Sequence, residues 1–344
     1  MIEAVKTIEL STSNSSTSKV VVGEKIANLS QYMPSACQVI LLVDENVEQL
    51  YKKELSTYER LIVPLGERNK TLATVESLAR QLLSLGADRS TFIVGVGGGI
   101  TCDIANFVAS IYMRGVRCGL VSTTLLSQLD ASIGGKNGVN LDGYKNMLGV
   151  FSQPEFVICD VDMLATLPDR EYKGGLSELI KAALITDLSL FRYISQNRER
   201  ILTKDIDILT GLIYRGVEIK AGIVRCDERE TGERKKLNLG HTFAHAIEAS
   251  GELNHGEAVS VGLIIAANIS QKLGLLTNEE VAEIENTLQL FGLPVKTNIP
   301  KETLLNAIRK DKKKQGKNIS FILMKGLGSC KVRKLTFGEV AQLL

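Results

Sequence analysis

The three histidines of this chain lie close together, with a spacing that suits a metal site. His241, His245 and His255 fall within fifteen consecutive positions of a 344-residue sequence. On a helix, His241 and His245 would be one turn apart and would face the same way. Imidazole nitrogens are common ligands of catalytic zinc, and one carboxylate would complete three protein ligands and leave room for a substrate. The alternative is that these histidines are buried structural residues.

Three glutamates could supply that carboxylate. Glu178 lies in the run Gly-Gly-Leu-Ser-Glu-Leu-Ile-Lys, while Glu248 and Glu257 are close to the histidines in sequence. We favour Glu178 because an acid beside glycines at the start of a helix lies readily in a cleft. The zinc-protease pattern His-Glu-x-x-His is absent, since residues 242–244 read Thr-Phe-Ala.

A glycine-rich turn in the first half of the chain could hold a phosphate group. Gly97, Gly98 and Gly99 follow an apolar run and precede a helical pattern. Without Cβ atoms the backbone can approach a phosphate closely, and the N-terminus of the helix favours an anion. The turn does not match the Gly-x-Gly-x-x-Gly fingerprint. Asp103 could cap backbone donors or hold a sugar or a metal, and the alternative is a tight turn without a ligand.

Polar residues after two further turns strengthen the indication of a cofactor site. Thr123 and Thr124 end an apolar stretch, and the run from Asp130 to Lys136 contains two glycines and is followed by Asn140, Lys145 and Asn146. Lysines beside glycine turns suit contacts with phosphate or hydroxyl groups. The alternative is a solvated polar loop without a ligand.

The elements that position these residues change in type along the chain. The first half alternates apolar strand-like runs with helical patterns, which predicts a parallel α/β sheet. The strand-like runs are Val39–Asp44, Leu61–Glu67 and Thr91–Gly99, and the helical patterns are Thr71–Leu85 and Thr101–Tyr112. From about Leu167 onward, amphipathic helical patterns dominate, at Gly175–Ile185, Ile206–Val224, Gly240–Ala249 and Glu257–Leu273. We therefore predict an α/β domain over residues 1–165 and a helical domain over residues 166–344.

Composition and charge exclude several classes of protein. Hydrophobic residues make up 44% and charged residues 23%, which is typical of a globular protein. The net charge of +2 is too small for nucleic-acid binding through bulk charge. No apolar run reaches the roughly 20 residues of a membrane span, and the N-terminus lacks the apolar core of a signal peptide. The six cysteines form no Cys-x-x-Cys pair, so we expect reduced thiols and a cytoplasmic protein without nucleic-acid or membrane partners.

Six motifs in a fixed order resemble the 3-dehydroquinate synthase family, from about Val39 to Leu323. They read GGGITCDIANFVASIYMRG, STTLLSQLDASIGGKNGVN, YKNMLGVFSQP, GGLSELIKAAL, KLNLGHTFAHAIE and HGEAV. The resemblance implies an N-terminal Rossmann-like parallel-sheet domain and a C-terminal all-helical domain, with the active site in the cleft between them. It also implies a homodimer.

The resemblance further implies tightly bound NAD and one divalent metal, zinc or cobalt. The metal would be held by Glu178, His241 and His255. His245 would instead accept a proton near the hydroxyl that is oxidised, which differs from the interpretation of His241 and His245 as a ligand pair. The NAD contacts would be Asp44, Asn46, Gly66, Glu67, Lys70, Gly98, Gly99, Asp103, Thr123, Thr124, Lys136, Lys145, Met163, Leu164, Ala165 and Thr166.

The implied reaction converts 3-deoxy-D-arabino-heptulosonate 7-phosphate to 3-dehydroquinate and phosphate, in the shikimate pathway to aromatic amino acids. It would proceed by transient oxidation, phosphate elimination, reduction, ring opening and intramolecular aldol closure, as a carbon–oxygen lyase. The implied catalytic and substrate-binding residues, besides His245, are Arg114, Asp130, Lys136, Asn146, Lys181, Lys220, Arg234, Asn238 and a lysine among Lys312 and Lys313.

Three other functions remain open from the sequence. The first is a related sugar-phosphate cyclase that forms a deoxyinosose or valiolone ring. The second is a metal-dependent polyol dehydrogenase, which would accumulate NADH in proportion to its product. The third is a binding protein without catalytic activity, against which the intact set of Glu178, His241 and His255 argues.

Overall fold

The computed structural model describes residues 5–12, 15–312 and 318–344. The chain divides into two compact units. Unit 1 consists of Met1–Leu167 with Leu209–Ala221, and unit 2 consists of Pro168–Ile208 with Gly222–Leu344. None of the helices in the part of the chain that the structure describes combines the length and the apolar character that a membrane span requires.

Unit 1 is built on a sheet with helices between its strands. The strands are β1 (Lys6–Thr12), β2 (Ser15–Val22), β3 (Val39–Asp44), β4 (Glu59–Val63), β5 (Phe92–Gly97), β6 (Arg117–Ser122), β7 (Lys136–Leu141), β8 (Tyr144–Phe151) and β9 (Phe156–Cys159). The helices are α1 (Glu45–Leu50), α2 (Leu72–Ser84) and α3 (Gly99–Ile111). The predicted strand Val39–Asp44 has the same bounds as β3, and the predicted strand Leu61–Glu67 begins two residues earlier and ends at Val63.

Seven of these strands form one sheet in the order β1-β2-β9-β6-β5-β3-β4. All neighbours pair in parallel except β1 and β2, which form an antiparallel edge. The central strands are buried along their length, as strands covered on both faces must be, which explains their unbroken apolar sequence. In such a sheet the carboxyl ends of the parallel strands lie at one edge, where α/β proteins bind ligands. A separate antiparallel hairpin consists of β7 and β8.

Unit 2 is predominantly helical. Its helices are α4 (Asp169–Thr186), α5 (Leu188–Gln196), α6 (Arg198–Leu202), part of α7 (Ile206–Cys226), α8 (His241–Glu248), α9 (His255–Lys272), α10 (Asn278–Leu290), α11 (Lys301–Lys312) and α12 (Phe337–Leu343). The central part of α7 belongs to unit 1. The start of α9 is set by a capping box, in which Asn254 and Glu257 each bind the other's backbone N–H. The helical patterns predicted in this half all correspond to helices.

The fold class is therefore confirmed, as a parallel-sheet part followed by a helical part, but unit 2 is not all-helical. It also contains strands β10 (Asn318–Met324) and β11 (Cys330–Thr336), which pair in antiparallel register from Asn318 opposite Thr336 to Met324 opposite Cys330. The apolar run of β10 is buried along most of its length. Its strand conformation depends on pairing with β11, whose charged sequence carries no strong strand pattern of its own.

Candidate functional site

Glu178, His241 and His255 converge in unit 2 as a group that could hold a metal ion. Their ligand atoms all lie within 4.8 Å of one another. Nε2 of His241 is 3.6 Å from Oε1 of Glu178, and Nε2 of His255 is 3.4 Å from the same oxygen. Glu178 lies on α4, and the two histidines are the first residues of α8 and α9. Three helices therefore bring together residues that are far apart in sequence.

Glycines allow these helices to approach closely enough. Gly174 on α4 lies directly against Gly256 on α9, where a Cβ atom on Gly256 would overlap the Gly174 backbone. Glu178 is one turn beyond Gly174, and His255 precedes Gly256, so this contact sets the spacing of the two ligands. Gly240 precedes α8 with a φ of +79°, and a Cβ there would lie 2.9 Å from the backbone nitrogen of Leu263. A glycine meets both conditions at this turn.

Hydrogen-bond acceptors orient both imidazoles. Nδ1 of His241 lies 3.2 Å from the backbone oxygen of Leu239, and Nδ1 of His255 lies 3.3 Å from Oε2 of Glu248. A proton on each Nδ1 leaves the Nε2 lone pair free to bind a metal, as is usual for metal-binding histidines. Glu248, one of the three candidate ligands, thus contacts His255 at Nδ1, the ring nitrogen that does not face Glu178.

Glu257, the other candidate ligand, has a structural role. Besides capping α9, its carboxylate accepts two hydrogen bonds from the guanidinium of Arg170, at 2.8 and 2.6 Å. Glu178 is the candidate that the structure brings to both histidines.

The charges of the group are balanced by a buried lysine. Lys181, one turn along α4, forms an ion pair with Glu178, and both side chains are buried. Burial lowers the pKa of His241 to about 3, and the Lys181 ammonium adds to this effect. Burial also acts to lower the pKa of His255, but hydrogen bonds with Glu178 and Glu248 outweigh it and raise that pKa to about 9. One carboxylate and two imidazoles are a donor set that fits zinc or cobalt.

His245 lies one turn after His241 on α8 and is exposed. The two rings are 5.4 Å apart at right angles. Residues at this spacing share a helix face, so the predicted geometry of the pair is correct. The group of convergent ligand atoms, however, contains His255 in place of His245.

A tight loop positions Arg234 and Asn238, which were expected to contact substrate. The Asp227 carboxylate accepts hydrogen bonds from the backbone N–H groups of Thr231, Gly232 and Arg234, at 2.9, 2.7 and 3.0 Å. Burial acts to raise the pKa of Asp227, but these donors outweigh it and lower the pKa to about 2. The Asp227 carboxylate therefore stays charged and holds the loop together.

The same loop binds both side chains directly. Nη1 of Arg234 donates to the backbone oxygen of Glu228 at 2.5 Å, and the Asn238 amide donates to the Glu230 carboxylate. Asp227 was not among the residues predicted from the sequence. Its signal is an aspartate followed four and five residues later by Thr and Gly, a pattern that favours side-chain to backbone hydrogen bonds.

In unit 1, the buried Lys70 contacts the partly buried Asp103 and the exposed Asn146. Nζ of Lys70 lies 2.5 Å from Oδ2 of Asp103 and 2.6 Å from Oδ1 of Asn146. Burial raises the pKa of Asp103 to about 6, against the opposing effect of the Lys70 ammonium. Asn146 has a φ of +50° and its backbone N–H binds the side chain of Asn140 at 2.8 Å. Three residues predicted from separate motifs are thus brought into direct contact.

Two further contacts join predicted residues of unit 1. Nζ of Lys220, on the part of α7 in unit 1, lies 2.6 Å from Oδ1 of Asp130. Glu67 accepts a hydrogen bond from the Asn140 amide at 2.8 Å and lies 3.9 Å from Nζ of Lys145.

The glycine turn before α3 has the features of an anion site. Gly98 caps α3 without a side-chain hydrogen bond, so the first backbone N–H groups of the helix have no side-chain acceptor at the cap. A Cβ on Gly98 would lie 3.0 Å from Cγ2 of Thr124, and one on Gly99 would lie 2.8 Å from Cβ of Ala131. Gly66 has a φ of +90° and open space where a Cβ would lie. These features fit a dinucleotide that carries phosphates.

Other predicted NAD contacts follow the carboxyl ends of β3, β6 and β9. Asp44 ends β3 and caps α1 by accepting hydrogen bonds from Asn46 and Val47. Thr123 follows β6, and its N–H binds the backbone oxygen of Gly97 at 3.0 Å. Met163, Leu164, Ala165 and Thr166 form a short 3-10 helix after β9, where the Thr166 hydroxyl contacts that of Tyr51 at 2.9 Å.

The remaining predicted residues are Arg114, Lys136, Lys312 and Lys313. Arg114 is exposed in the turn after α3, at the opposite end of that helix from Gly99, with a φ of +71°. Lys136 is exposed at the start of β7. Lys312 ends α11, but its side chain is outside the described part of the chain, and Lys313 lies outside the described residues altogether.

Comparisons with known proteins match most of the chain, including the group of Glu178, His241 and His255. A family model described as the 3-dehydroquinate synthase N-terminal domain matches residues 60–174, and one described as the C-terminal domain matches residues 175–314. The chain is 41% identical over 331 residues to a protein named 3-dehydroquinate synthase from Alkaliphilus metalliredigens, which covers 93% of this chain and 92% of that protein.

Solved structures of two sugar-phosphate cyclases are also similar. A 2-epi-5-epi-valiolone synthase from Streptomyces hygroscopicus, with NAD⁺ and Zn²⁺ bound, has a TM-score of 0.88 at 26% identity, over 97% of each chain. A 2-deoxy-scyllo-inosose synthase, in complex with carbaglucose-6-phosphate, NAD⁺ and Co²⁺, has a TM-score of 0.87 at 26% identity, over 98% of this chain and 99% of that one.

Proposed function

This chain belongs to the 3-dehydroquinate synthase family, and from this premise we propose how its residues carry out the family's reaction. That reaction converts 3-deoxy-D-arabino-heptulosonate 7-phosphate to 3-dehydroquinate and inorganic phosphate in the shikimate pathway. The convergence of Glu178, His241 and His255 supports this function for the chain. A relative in the family also covers 93% of the chain.

The cofactors account for the redox and Lewis-acid chemistry. NAD would reversibly accept a hydride from the substrate, and a divalent metal would polarise substrate oxygens. Glu178, His241 and His255 would hold the metal. The N-terminus of α3, with Gly98, would hold the NAD phosphates, together with the other NAD contacts predicted from the sequence.

The remaining residues bind the substrate and move its protons. His245 would take a proton at a ring nitrogen from the hydroxyl that is oxidised, since it is exposed and one turn from a metal ligand. Arg234 and Asn238, held by the Asp227 loop, would bind the substrate's charged and hydroxyl groups. Asp130, Lys136, Asn146, Lys181 and Lys220, with Arg114 and a lysine among Lys312 and Lys313, complete the proposed set.

The proposal extends to the class, assembly and location of the enzyme. We expect a carbon–oxygen lyase that acts in the cytoplasm as a homodimer. Residues 1–165 would form the NAD-binding domain and residues 166–344 the metal- and substrate-binding domain, with further substrate contacts from Arg114, Asp130, Lys136 and Asn146 of the first domain.

Phosphate release tests the proposed function. The purified full chain, supplied with NAD and Zn²⁺ or Co²⁺, is mixed with the heptulosonate phosphate, and inorganic phosphate and 3-dehydroquinate are measured. We expect equal amounts of both products and no net NADH. The matched control is His241→Ala, which removes a proposed metal ligand.

Alternative substrates sharpen this test. The similar solved structures include a valiolone synthase and an inosose synthase, so sedoheptulose 7-phosphate and glucose 6-phosphate are assayed in parallel. Phosphate release from either sugar phosphate, with none from the heptulosonate phosphate, would refute the proposed substrate. Net accumulation of NADH would instead indicate a polyol dehydrogenase.

A further inference from the structure

A basic cavity in unit 2 is not explained by the proposed reaction. It has a volume of about 430 Å³ and is lined by residues of the 231–236 segment and by the hairpin of β10 and β11. This volume lies within the range of small-molecule sites, roughly 300–1,000 Å³. Neither the three proposed metal ligands nor Lys181 is among its lining residues. The cavity is therefore separate from the group of Glu178, His241 and His255.

Four lysines line this cavity, and only one of them is neutralised. Lys236 pairs with Glu233 at 2.5 Å. Across the residues that the structure describes, Lys235, Lys331 and Lys334 have no carboxylate within 4 Å. Lys235 and Lys331 are also partly buried. A partly desolvated ammonium without a counter-ion is unfavourable, and cationic residues that line one cavity repel one another.

The hairpin contributes Lys331 and Lys334 to the lining of the cavity, and because they are three positions apart in β11 their side chains leave opposite faces of the strand. In the register of β10 with β11, Lys334 lies opposite Ser320, which also lines the cavity. Cys330, at the start of β11, lines it as well, and burial raises the pKa of its thiol to about 12. The thiol is therefore neutral, and the one carboxylate among the lining residues, that of Glu233, is paired with Lys236.

We propose that this cavity binds a small organic phosphate monoester. Lysine ammonium groups act as point charges, which suits a tetrahedral phosphate better than the planar fork geometry of a carboxylate that arginine prefers. A phosphate monoester carries a charge of about −1.5 to −2 at pH 7, which would offset most of the charge of Lys235, Lys331 and Lys334. The Ser320 hydroxyl donates a further hydrogen bond, and the cavity has room for an organic group beyond the phosphate.

The test uses isothermal titration calorimetry of the purified full chain with glycerol 3-phosphate at low ionic strength. The variants are Lys331→Ala/Lys334→Ala and, from the opposite wall, Lys235→Ala. The matched control is Lys325→Ala, an exposed lysine of the same hairpin that does not line the cavity. Any binding of the phosphate ester at the proposed substrate residues is the same in the wild type and in every variant. The heat that is lost when the cavity lysines are replaced therefore reports on the cavity alone. The measurement needs no turnover, so its outcome is independent of the proposed function.

We expect saturable binding to the wild type, weaker by at least about fivefold in both cavity variants and unchanged in Lys325→Ala. Glycerol, the uncharged counterpart, should give no saturable heat. Two results would overturn the proposal: no saturable binding to the wild type, or the same isotherm in the wild type and in Lys331→Ala/Lys334→Ala. Citrate tests whether the cavity prefers phosphate to carboxylate groups. If this tricarboxylate bound more tightly than glycerol 3-phosphate at the same lysines, the proposed phosphate ligand would be wrong.

Discussion

Two buried charged groups of this protein differ in how their charges are satisfied. In unit 1, Lys70 and Asp103 neutralise each other, and Asn146 completes the contacts of the ammonium. In unit 2, Glu178 is paired with Lys181, yet two imidazole nitrogens also face it at 3.4 and 3.6 Å. The first group is complete as it stands. In the second group, two imidazole nitrogens face a carboxylate that Lys181 already neutralises. These extra ligand atoms are what a bound metal cation requires.

This difference predicts different effects of substitution in the two groups. Changes among the proposed metal ligands should mainly reduce activity, because these side chains bind the catalytic metal ion. Changes in the Lys70 cluster should also reduce the stability of the protein without its cofactor, because they leave a buried charge without its partner.

The largest expected effect is that of His241→Ala. Loss of this ligand should release the metal and lower kcat/KM by about 10³-fold or more, since a metal's Lewis-acid effect is worth several kcal/mol. Because Glu178 keeps its pairing with Lys181, the unfolding free energy of the metal-free protein should fall by no more than about 2 kcal/mol. Metal content by elemental analysis, phosphate release and urea denaturation check the three parts. Metal retained at the wild-type level would contradict the ligand assignment.

His245→Ala should give a smaller loss with a different pattern. Removing the proposed proton acceptor should lower kcat by about 10²-fold, the lower range for general acid–base catalysis, while the metal stays bound. Kinetics and elemental analysis on the same preparation separate the two roles. If His245→Ala lost as much metal as His241→Ala, the two histidines would be a ligand pair, as their spacing alone allows.

Lys70→Ala removes a proposed NAD contact and should also reduce the stability of the protein without NAD. It leaves the Asp103 carboxylate buried without its ammonium, which is expected to cost about 3 kcal/mol of unfolding free energy. The matched control is Lys70→Ala/Asp103→Asn, which removes both charges and should be less destabilised than the single variant. Urea denaturation at pH 7 measures all three proteins. Equal stabilities of the single and double variants would mean that the pair does not act as a unit.

The smallest expected effect concerns pH. Because burial raises the pKa of Asp103 from 3.8 to about 6, the folded state binds a proton that the unfolded state releases between these values. The stability from this group is therefore full below about pH 3.8 and is lost as the pH rises through 6. Relative to Asp103→Asn, the wild type should lose about 2 kcal/mol of unfolding free energy between pH 4 and pH 7. Parallel slopes for the two proteins would show that the Asp103 pKa is not raised.

Much of the local structure could be predicted from the sequence, because strand and helix patterns depend on neighbouring residues. The apolar run Val39–Asp44 is a strand with the predicted bounds, and the pattern Ile206–Val224 is a helix that extends to Cys226. The hairpin of β10 and β11 was missed, since its strands are defined by pairing with each other. The metal group followed from the clustered histidines and from the resemblance of six motifs to a known family.

The sequence by itself determined the residue types of the site and the class of fold, since hydrophobic periodicity and motif chemistry are local properties. Only the tertiary structure decided which side chains meet. It joined His255 to Glu178, paired Glu257 with Arg170, and placed Glu248 behind His255. It also joined Lys70 to Asp103 and Asn146, which are 33 and 76 positions away along the chain. Contacts at such separations depend on how strands and helices pack, and no spacing within a motif contains that information.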